Sequence, residues 1–125
     1  MRTRLACMLA MAGALGTSAA QAQAPENLWS GDQIRSAWSD KKLFARSPTA
    51  GLLEMRLRSD GTAEVSAGNV SDSGQWRVTD KAYCVKWQKI RKGEERCFGV
   101  AQRGDKVFTL GPDGAVTSEI LRVID

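Results

Sequence analysis

Apolar and polar residues alternate along two neighbouring stretches in the middle of the chain. Apolar side chains occupy every second position at residues 53–57, and the same alternation returns at residues 63–67. A period of two is typical of a β-strand with one buried face. Between the stretches, residues 59–62 read Ser-Asp-Gly-Thr, a turn in which Gly61 can take a positive φ. The pattern therefore predicts a β-hairpin.

Weaker versions of this alternation continue to the end of the chain. Residues 68–73 are polar and are expected to form a loop. Further short strands are predicted at residues 42–46, 76–78, 82–90, 96–102, 106–110 and 115–124. All connections are short enough for antiparallel neighbours. We predict an all-β fold of about seven or eight short strands, a meander that closes into a small barrel, although spacing alone does not separate a barrel from a sandwich.

One short helix is predicted before the strands. Ser30 and Gln33 have the Ser-x-x-Gln spacing of a capping box. Ile34 and Trp38 follow on one face of a helix. A helix at residues 31–38 is too short to be stable alone in water, so its apolar face is expected to cover one end or one side of the sheet.

The first residues have the features of a secretory signal peptide. Arg2 and Arg4 precede an apolar run at residues 5–15, which is shorter than the roughly 20 residues that a membrane-spanning helix needs. Small residues follow the run, so cleavage is expected after Ala22 or, alternatively, after Ala20. An uncleaved membrane anchor is the competing interpretation.

This leader sets the predicted organisation of the chain. Residues 1–22 form the signal peptide, residues 23–29 a loose lead-in, and residues 30–125 a single β domain. Cleavage lowers the formal net charge from +4 to +2, so the mature protein is only mildly basic. No second apolar run reaches membrane length. We therefore expect a periplasmic or secreted protein without a transmembrane segment in its mature chain.

Cys84 and Cys97 are the cysteines that remain after cleavage. In an oxidising compartment such a pair is expected to form a disulfide. The hairpin register opposes this prediction, because a tight turn at residues 91–93 would point the two side chains to opposite faces of the ribbon. A four-residue turn would leave them too far apart. A bulge or a longer irregular tip would reconcile the two arguments, whereas the spacing disfavours a redox pair or a metal site.

The absence of histidine from the chain restricts its chemistry. Ser-His-Asp and Cys-His catalysis are excluded, as are the usual histidine ligands of zinc, copper and haem. No phosphate-binding loop or dinucleotide fingerprint is present. The adjacent carboxylates of Glu94 and Glu95 are best explained as a solvated turn. We expect a non-enzyme without cofactor or metal, and a small enzyme without histidine chemistry is kept as an alternative.

Basic and aromatic residues are concentrated between residues 76 and 96. Basic groups beside aromatic rings can bind anionic molecules, although a solvated strand face is the simpler explanation. The candidate anion-binding residues are Lys86, Lys89, Arg91, Lys92 and Arg96. The candidate ligand-facing residues are Trp76, Tyr83 and Trp87, which alternatively fill the core.

The spacing of several motifs forms a pattern across this region. The motifs are Gly74-x-Trp76, Tyr83-Cys84-x-x-Trp87, Arg96-Cys97-Phe98, Gly104-Asp105 and Asp113-Gly114. Over roughly residues 33–114 the chain resembles an uncharacterised family of small exported proteobacterial proteins with a Gly-x-Trp, Cys-x-x-Trp and Cys pattern. The resemblance implies a periplasmic, mainly β domain. It brings no established activity and no catalytic residues.

These observations favour a non-catalytic binding or accessory module of the cell envelope. Its expected partner is a small ligand or an envelope protein, and no nucleic acid. A ligand would be sought first inside the barrel or at its mouth. The alternative is a periplasmic protein inhibitor similar to lysozyme inhibitors, but a basic target would call for a more acidic surface than this chain has.

Overall fold

The computed structural model describes residues 27–125. The predicted signal peptide and the first part of the predicted lead-in lie outside the described residues. One helix, eight strands and one short 3-10 segment follow in chain order. Their bounds are α1 Gly31–Trp38, β1 Lys41–Ser47, β2 Gly51–Leu57, β3 Thr62–Ala67, β4 Val70–Val78, β5 Tyr83–Trp87, the 3-10 segment Ile90–Gly93, β6 Arg96–Arg103, β7 Lys106–Leu110 and β8 Val116–Ile124.

The strands form a closed antiparallel barrel. Each strand pairs with the next along the chain, and β8 pairs back with β1. A register shift between Phe44 and Ala45 accompanies this closing contact. The all-β prediction is confirmed, and the choice between barrel and sandwich is resolved in favour of the barrel. In the part of the chain described, there is no helix of the length and apolar character that crossing a membrane requires.

Helix α1 closes one end of the barrel. Its capping box is present, with the Ser30 hydroxyl accepting from the Gln33 amide and the Gln33 side chain accepting from the Ser30 amide. Ile34 and Trp38 are almost completely buried in the barrel core. The helix begins at Gly31, whose amide donates to the Asp80 carbonyl at 2.7 Å. The predicted amphipathic helix therefore packs across the end of the sheet.

The end of the predicted loose lead-in is hydrogen-bonded rather than free. Leu28 forms a bridge with Ala101, and the Trp29 amide donates to the Val100 carbonyl at 2.8 Å. β5 pairs with β6 only as far as Tyr83, so the last residues of β6 have unpaired backbone groups on that side. Residues 27–29 satisfy these groups, because buried backbone donors and acceptors need partners.

Strand β4 begins earlier than the sequence predicts. The expected loop at residues 68–73 is a tight turn followed by β4, which starts at Val70. Ser71 and Ser73 are exposed, and the position between them is occupied by Asp72 instead of an apolar residue. Asp72 therefore interrupts the apolar–polar alternation of the strand. An inward position at the mouth of a barrel can hold a polar side chain.

Cys84 and Cys97 form the predicted disulfide, with an S–S distance of 2.02 Å. The two residues are direct partners in the pairing of β5 with β6, so the register that a tight turn implies is wrong. The connection is instead a long irregular segment, residues 88–95, which we call the tip. A longer irregular tip is one of the two solutions that the sequence left open.

Candidate ligand-binding site

The two ends of the barrel differ. Helix α1 and the turns at residues 58–61, 79–82 and 104–105 lie at one end. The turns at residues 48–50, 68–69 and 111–115 lie at the other, together with the tip. We call this second end the open end, because no α-helix covers it within residues 27–125.

A cavity of about 430 Å³ enters the barrel from the open end. This volume lies in the lower part of the range of about 300–1,000 Å³ that is typical of small-molecule sites. Its lining is mostly apolar and comes from inward positions of several strands. The larger apolar residues of the lining are Leu53, Met55, Val65, Val85, Trp87 and Phe98.

Neutral hydroxyl groups line one side of the cavity. Thr109 is a polar residue buried in the core, and its hydroxyl lies 2.7 Å from that of Thr117. The Thr109 hydroxyl is also hydrogen-bonded to Ser118. Burial raises the pKa of Tyr83 far above its usual range, although Arg91 and a hydrogen bond with Thr109 act in the opposite direction. The phenol is therefore neutral at physiological pH.

Stacked aromatic rings form the floor of the cavity. The ring of Tyr83 lies 5.5 Å from that of Phe98 and 5.3 Å from that of Trp38 in the helix. Trp38 in turn lies 5.9 Å from Trp29, centroid to centroid. Distances of this size are typical of favourable aromatic pairs. The floor of the site is thus packed directly against the helix that closes the opposite end.

The tip is held over the open end by a carboxylate. Asp72 accepts hydrogen bonds from the amides of Lys89 at 2.8 Å and Ile90 at 2.9 Å. Ile90 packs against the core and lines the cavity. Arg91 and Lys92 then adopt positive φ values of 56° and 54°, which L-residues other than glycine rarely take. This conformation turns the chain so that Arg91 lies beside the cavity.

Arg91 is an exposed residue that contributes a charge to the lining. Its guanidinium carbon lies 5.3 Å from the centroid of the Phe98 ring, within the range of a cation–π contact. Burial and the nearby charge of Arg96 lower the pKa of Arg91, but an arginine remains protonated at neutral pH. Neither Arg91 nor Arg96 has a carboxylate within ion-pair distance among the described residues.

The structure places two of the three predicted ligand-facing residues on the cavity wall. Tyr83 and Trp87 line it. Trp76 does not, because its indole nitrogen donates to the Arg58 carbonyl at 2.6 Å near the helix end of the barrel. It is buried in the core, which is the alternative that the sequence offered for it.

The predicted anion-binding residues do not form a single cluster. Lys86 and Lys89 border shallow grooves on the outer surface of the barrel, and Lys92 is an exposed residue of the tip. Arg91 alone among the five lines the cavity. Arg96 begins β6 on the same face as Phe98 and lies near Arg91. Of the five, Arg91 therefore lines the cavity and Arg96 lies beside it.

Sequence reasoning missed the hydroxyl groups and the aspartate that holds the tip. Thr109 occupies an inward position of β7, two residues after Val107. A polar side chain at an inward position of an alternating strand is a recognisable signal of a site. Asp72 gives no comparable signal, because the sequence around it predicts a polar loop.

The remaining cluster of possible metal ligands has its sulfur atoms occupied. Ligand atoms of Cys84, Glu95 and Cys97 lie within 4.8 Å of one another, but the two sulfurs are bonded to each other. Glu95 forms an ion pair with Arg77 at 2.8 Å. Of the two adjacent carboxylates of Glu94 and Glu95, that of Glu95 is therefore paired with Arg77 on the outer face of the barrel.

Comparison with known proteins adds no relative to this description. No protein-family model, curated protein or solved structure matches the chain. The family resemblance drawn from the motifs therefore stays a prediction. What the chain does is argued from the chemistry of its own residues.

Proposed function

We propose that this protein is a non-catalytic binding protein that holds a small, largely apolar ligand in the open end of its barrel. The observation that carries this proposal is the cavity of about 430 Å³ with an apolar lining and a few hydroxyl groups. Pockets of this composition are the usual form of small-molecule sites, in which apolar area gives affinity and a few polar groups give orientation.

The exposure of the lining supports a ligand. Leu53, Val65 and Ile90 are only partly buried although they point inward, and Val70 at the mouth is 57% exposed. A bound molecule would cover this apolar surface, and each square ångström covered contributes about 25 cal/mol. At the helix end, buried side chains fill the barrel. At the open end, the inward side chains face an unfilled cavity.

The lining favours binding over catalysis. Within the described part of the chain, it contains no carboxylate, cysteine or histidine. Its hydroxyl groups are hydrogen-bonded to one another, and the Tyr83 phenol is held neutral by burial. A catalytic site needs a nucleophile or an acid–base group with a suitable pKa in reach of the substrate, and the cavity wall offers no such pair.

An exported location fits this role. The disulfide is typical of proteins that fold in an oxidising compartment, and the sequence of residues 1–22 predicts a signal peptide. We place the protein in the periplasm or outside the cell, as an accessory of the envelope that captures or presents its ligand there.

Titration with a neutral apolar dye, N-phenylnaphthylamine, tests the proposal. We expect saturable enhancement of its fluorescence by the wild-type protein. Ala67→Trp fills the cavity mouth from an inward position, and Ser66→Trp places the same side chain on the outer face of the same strand. Ala67→Trp should weaken binding by about tenfold or more, a change of about 1.4 kcal/mol, whereas Ser66→Trp should not. Equal affinity in both variants would contradict the proposal.

A further inference from the structure

We propose that the ligand is a single-chain amphiphile with a carboxylate headgroup, such as a fatty acid anion, whose chain lies in the barrel and whose carboxylate binds Arg91 at the rim. This inference rests on the proposed function, because it names the class of molecule that the cavity takes. Four features of the open end carry it.

The first feature is the position of Arg91. It lies directly after Ile90, whose amide is fixed by Asp72 and whose side chain packs inward. The backbone of Arg91 is therefore anchored at the rim of the cavity. The cation–π contact with Phe98, itself a buried residue, places the charge against the cavity wall.

The second feature is the backbone of the tip. Arg91 and Lys92 both have φ values of the left-handed region, where glycine is the favoured residue. Such conformations persist only where surrounding contacts impose them, and they are concentrated at ligand-binding and active sites. Here the imposed conformation has a clear result, since it brings a cation to the edge of an apolar cavity.

The third feature is unbalanced positive charge. Burial and repulsion by the nearby charge of Arg96 lower the pKa of Arg91, and within residues 27–125 no acidic side chain pairs with either arginine. An anion would remove this repulsion. The planar guanidinium donates two parallel hydrogen bonds that match the two oxygens of a carboxylate. An ammonium group has no acceptor, and a hydroxyl headgroup has one oxygen instead of two.

The fourth feature is that apolar side chains and hydroxyl groups share the lining. β2 and β3 contribute Leu53, Met55 and Val65, and β5 and β6 contribute Val85, Trp87 and Phe98. The hydroxyl groups of Thr109 and Thr117 lie on β7 and β8. With the carboxylate at Arg91, the chain of the ligand would cover the apolar side chains of the lining.

Displacement of bound N-phenylnaphthylamine by decanoate, decanol and decyltrimethylammonium, each below its micelle concentration, tests the inference. These probes share a chain and differ in charge. We expect decanoate to bind about tenfold more tightly than decanol and the cation to bind most weakly. Decyl phosphate is included because it shares the negative charge, and tighter binding of it than of decanoate would overturn the choice of a carboxylate.

The matched variants are Arg91→Gln and Lys92→Gln. The two residues are neighbours in the tip and both have positive φ, but Lys92 does not line the cavity. Arg91→Gln should reduce decanoate affinity by about tenfold and leave decanol affinity unchanged, which also shows that the variant is folded. Lys92→Gln should retain the wild-type preference.

Two outcomes separate failure of this inference from failure of the proposed function. If decanol and decanoate bind equally well, or if Arg91→Gln weakens both alike, the headgroup assignment is wrong while the cavity remains a binding site. If neither the dye nor any of the four amphiphiles binds, the proposed function itself is wrong.

Discussion

The carboxylate of Asp72 accepts a hydrogen bond from the amide of Ile90 at 2.9 Å, across 18 positions of sequence. This bond, with its companion from Lys89, connects β4 to the tip at the mouth of the cavity. Burial raises the pKa of Asp72, but several backbone hydrogen bonds, led by those of the Ile90 and Lys89 amides, together outweigh this effect, and the pKa lies below its usual value. The carboxylate is thus charged under ordinary conditions, and charged acceptors form the stronger hydrogen bonds.

Replacing Asp72 by alanine should loosen the tip without unfolding the barrel. The amides of Lys89 and Ile90 lose their acceptor, and Arg91, the next residue along the chain, loses an adjacent anchor. We expect hydrogen exchange of these amides to be at least about tenfold faster, together with weaker binding of decanoate.

Asp113→Ala is the matched control for this prediction. Asp113 is also an aspartate in a turn at the open end, and it accepts from the Ala115 amide at 3.0 Å. Its removal should leave exchange in the tip unchanged. Equal exchange rates in Asp72→Ala and the wild type would show that other contacts fix the tip.

Tyr83 should make the protein sensitive to alkali. Its pKa in the folded state is raised by burial above the unfolded value of about 10. The stabilising effect of a neutral buried phenol is therefore fully present below about pH 10 and is lost progressively as the pH rises above that value. We expect the urea midpoint to fall above pH 10, and to fall less in Tyr83→Phe.

The titration of Tyr83 can be followed directly. Because the chain has one tyrosine, the near-ultraviolet absorbance of tyrosinate reports on this side chain alone. In the folded protein no tyrosinate should form near pH 10, whereas in urea it should form there. Ionisation near pH 10 in the folded protein would contradict the burial of the phenol.

The disulfide should stabilise the barrel without taking part in the site. Cys84 and Cys97 are on strand positions between inward-facing neighbours, so their bond lies on the outer face. Replacing both by alanine should lower the free energy of unfolding by about 3 kcal/mol, measured by urea denaturation. Dye affinity of the remaining folded protein should be unchanged, and reduced wild-type protein is the control. A large loss of affinity in folded double variant would show that the bond shapes the cavity.

Gly31 should tolerate no side chain. A Cβ atom at this position would lie 1.8 Å from the Thr79 carbonyl oxygen, so Gly31→Ala must lift the start of α1 away from the turn that follows β4. Overpacking of this kind typically costs about 1–3 kcal/mol. Ser36→Ala, an exposed position of the same helix, should change the urea midpoint little and serves as the control.

Local patterns in the sequence predict most of the architecture. The alternation of Leu53, Met55 and Leu57 correctly predicts which face of β2 points inward. The capping box at Ser30 correctly predicts where α1 begins. Both signals arise from contacts between residues close in the chain. Alternation within β5 likewise places Tyr83 and Trp87 on one face of the strand, and both line the cavity.

Features set by distant contacts could not be read from these patterns. Arg91 is one of five basic candidates in the sequence, and the residue before it, Ile90, is held by Asp72, 18 positions away. The direct pairing of Cys84 with Cys97 depends on an irregular tip whose length no repeating pattern encodes. The pairing of Leu28 with Ala101 likewise depends on where β5 ends.

The pairing of β8 with β1 also affects the order in which this fold can form. Ala45 pairs with Ile120, so the barrel cannot close until nearly the whole chain is available to fold. Contacts between residues so far apart in sequence carry a large loop-closure entropy and slow folding to the range of milliseconds to seconds that is typical of β-barrels. The β5–β6 hairpin is local in sequence, so it can form earlier. Its two cysteines can form their disulfide while β1 and β8 are still apart.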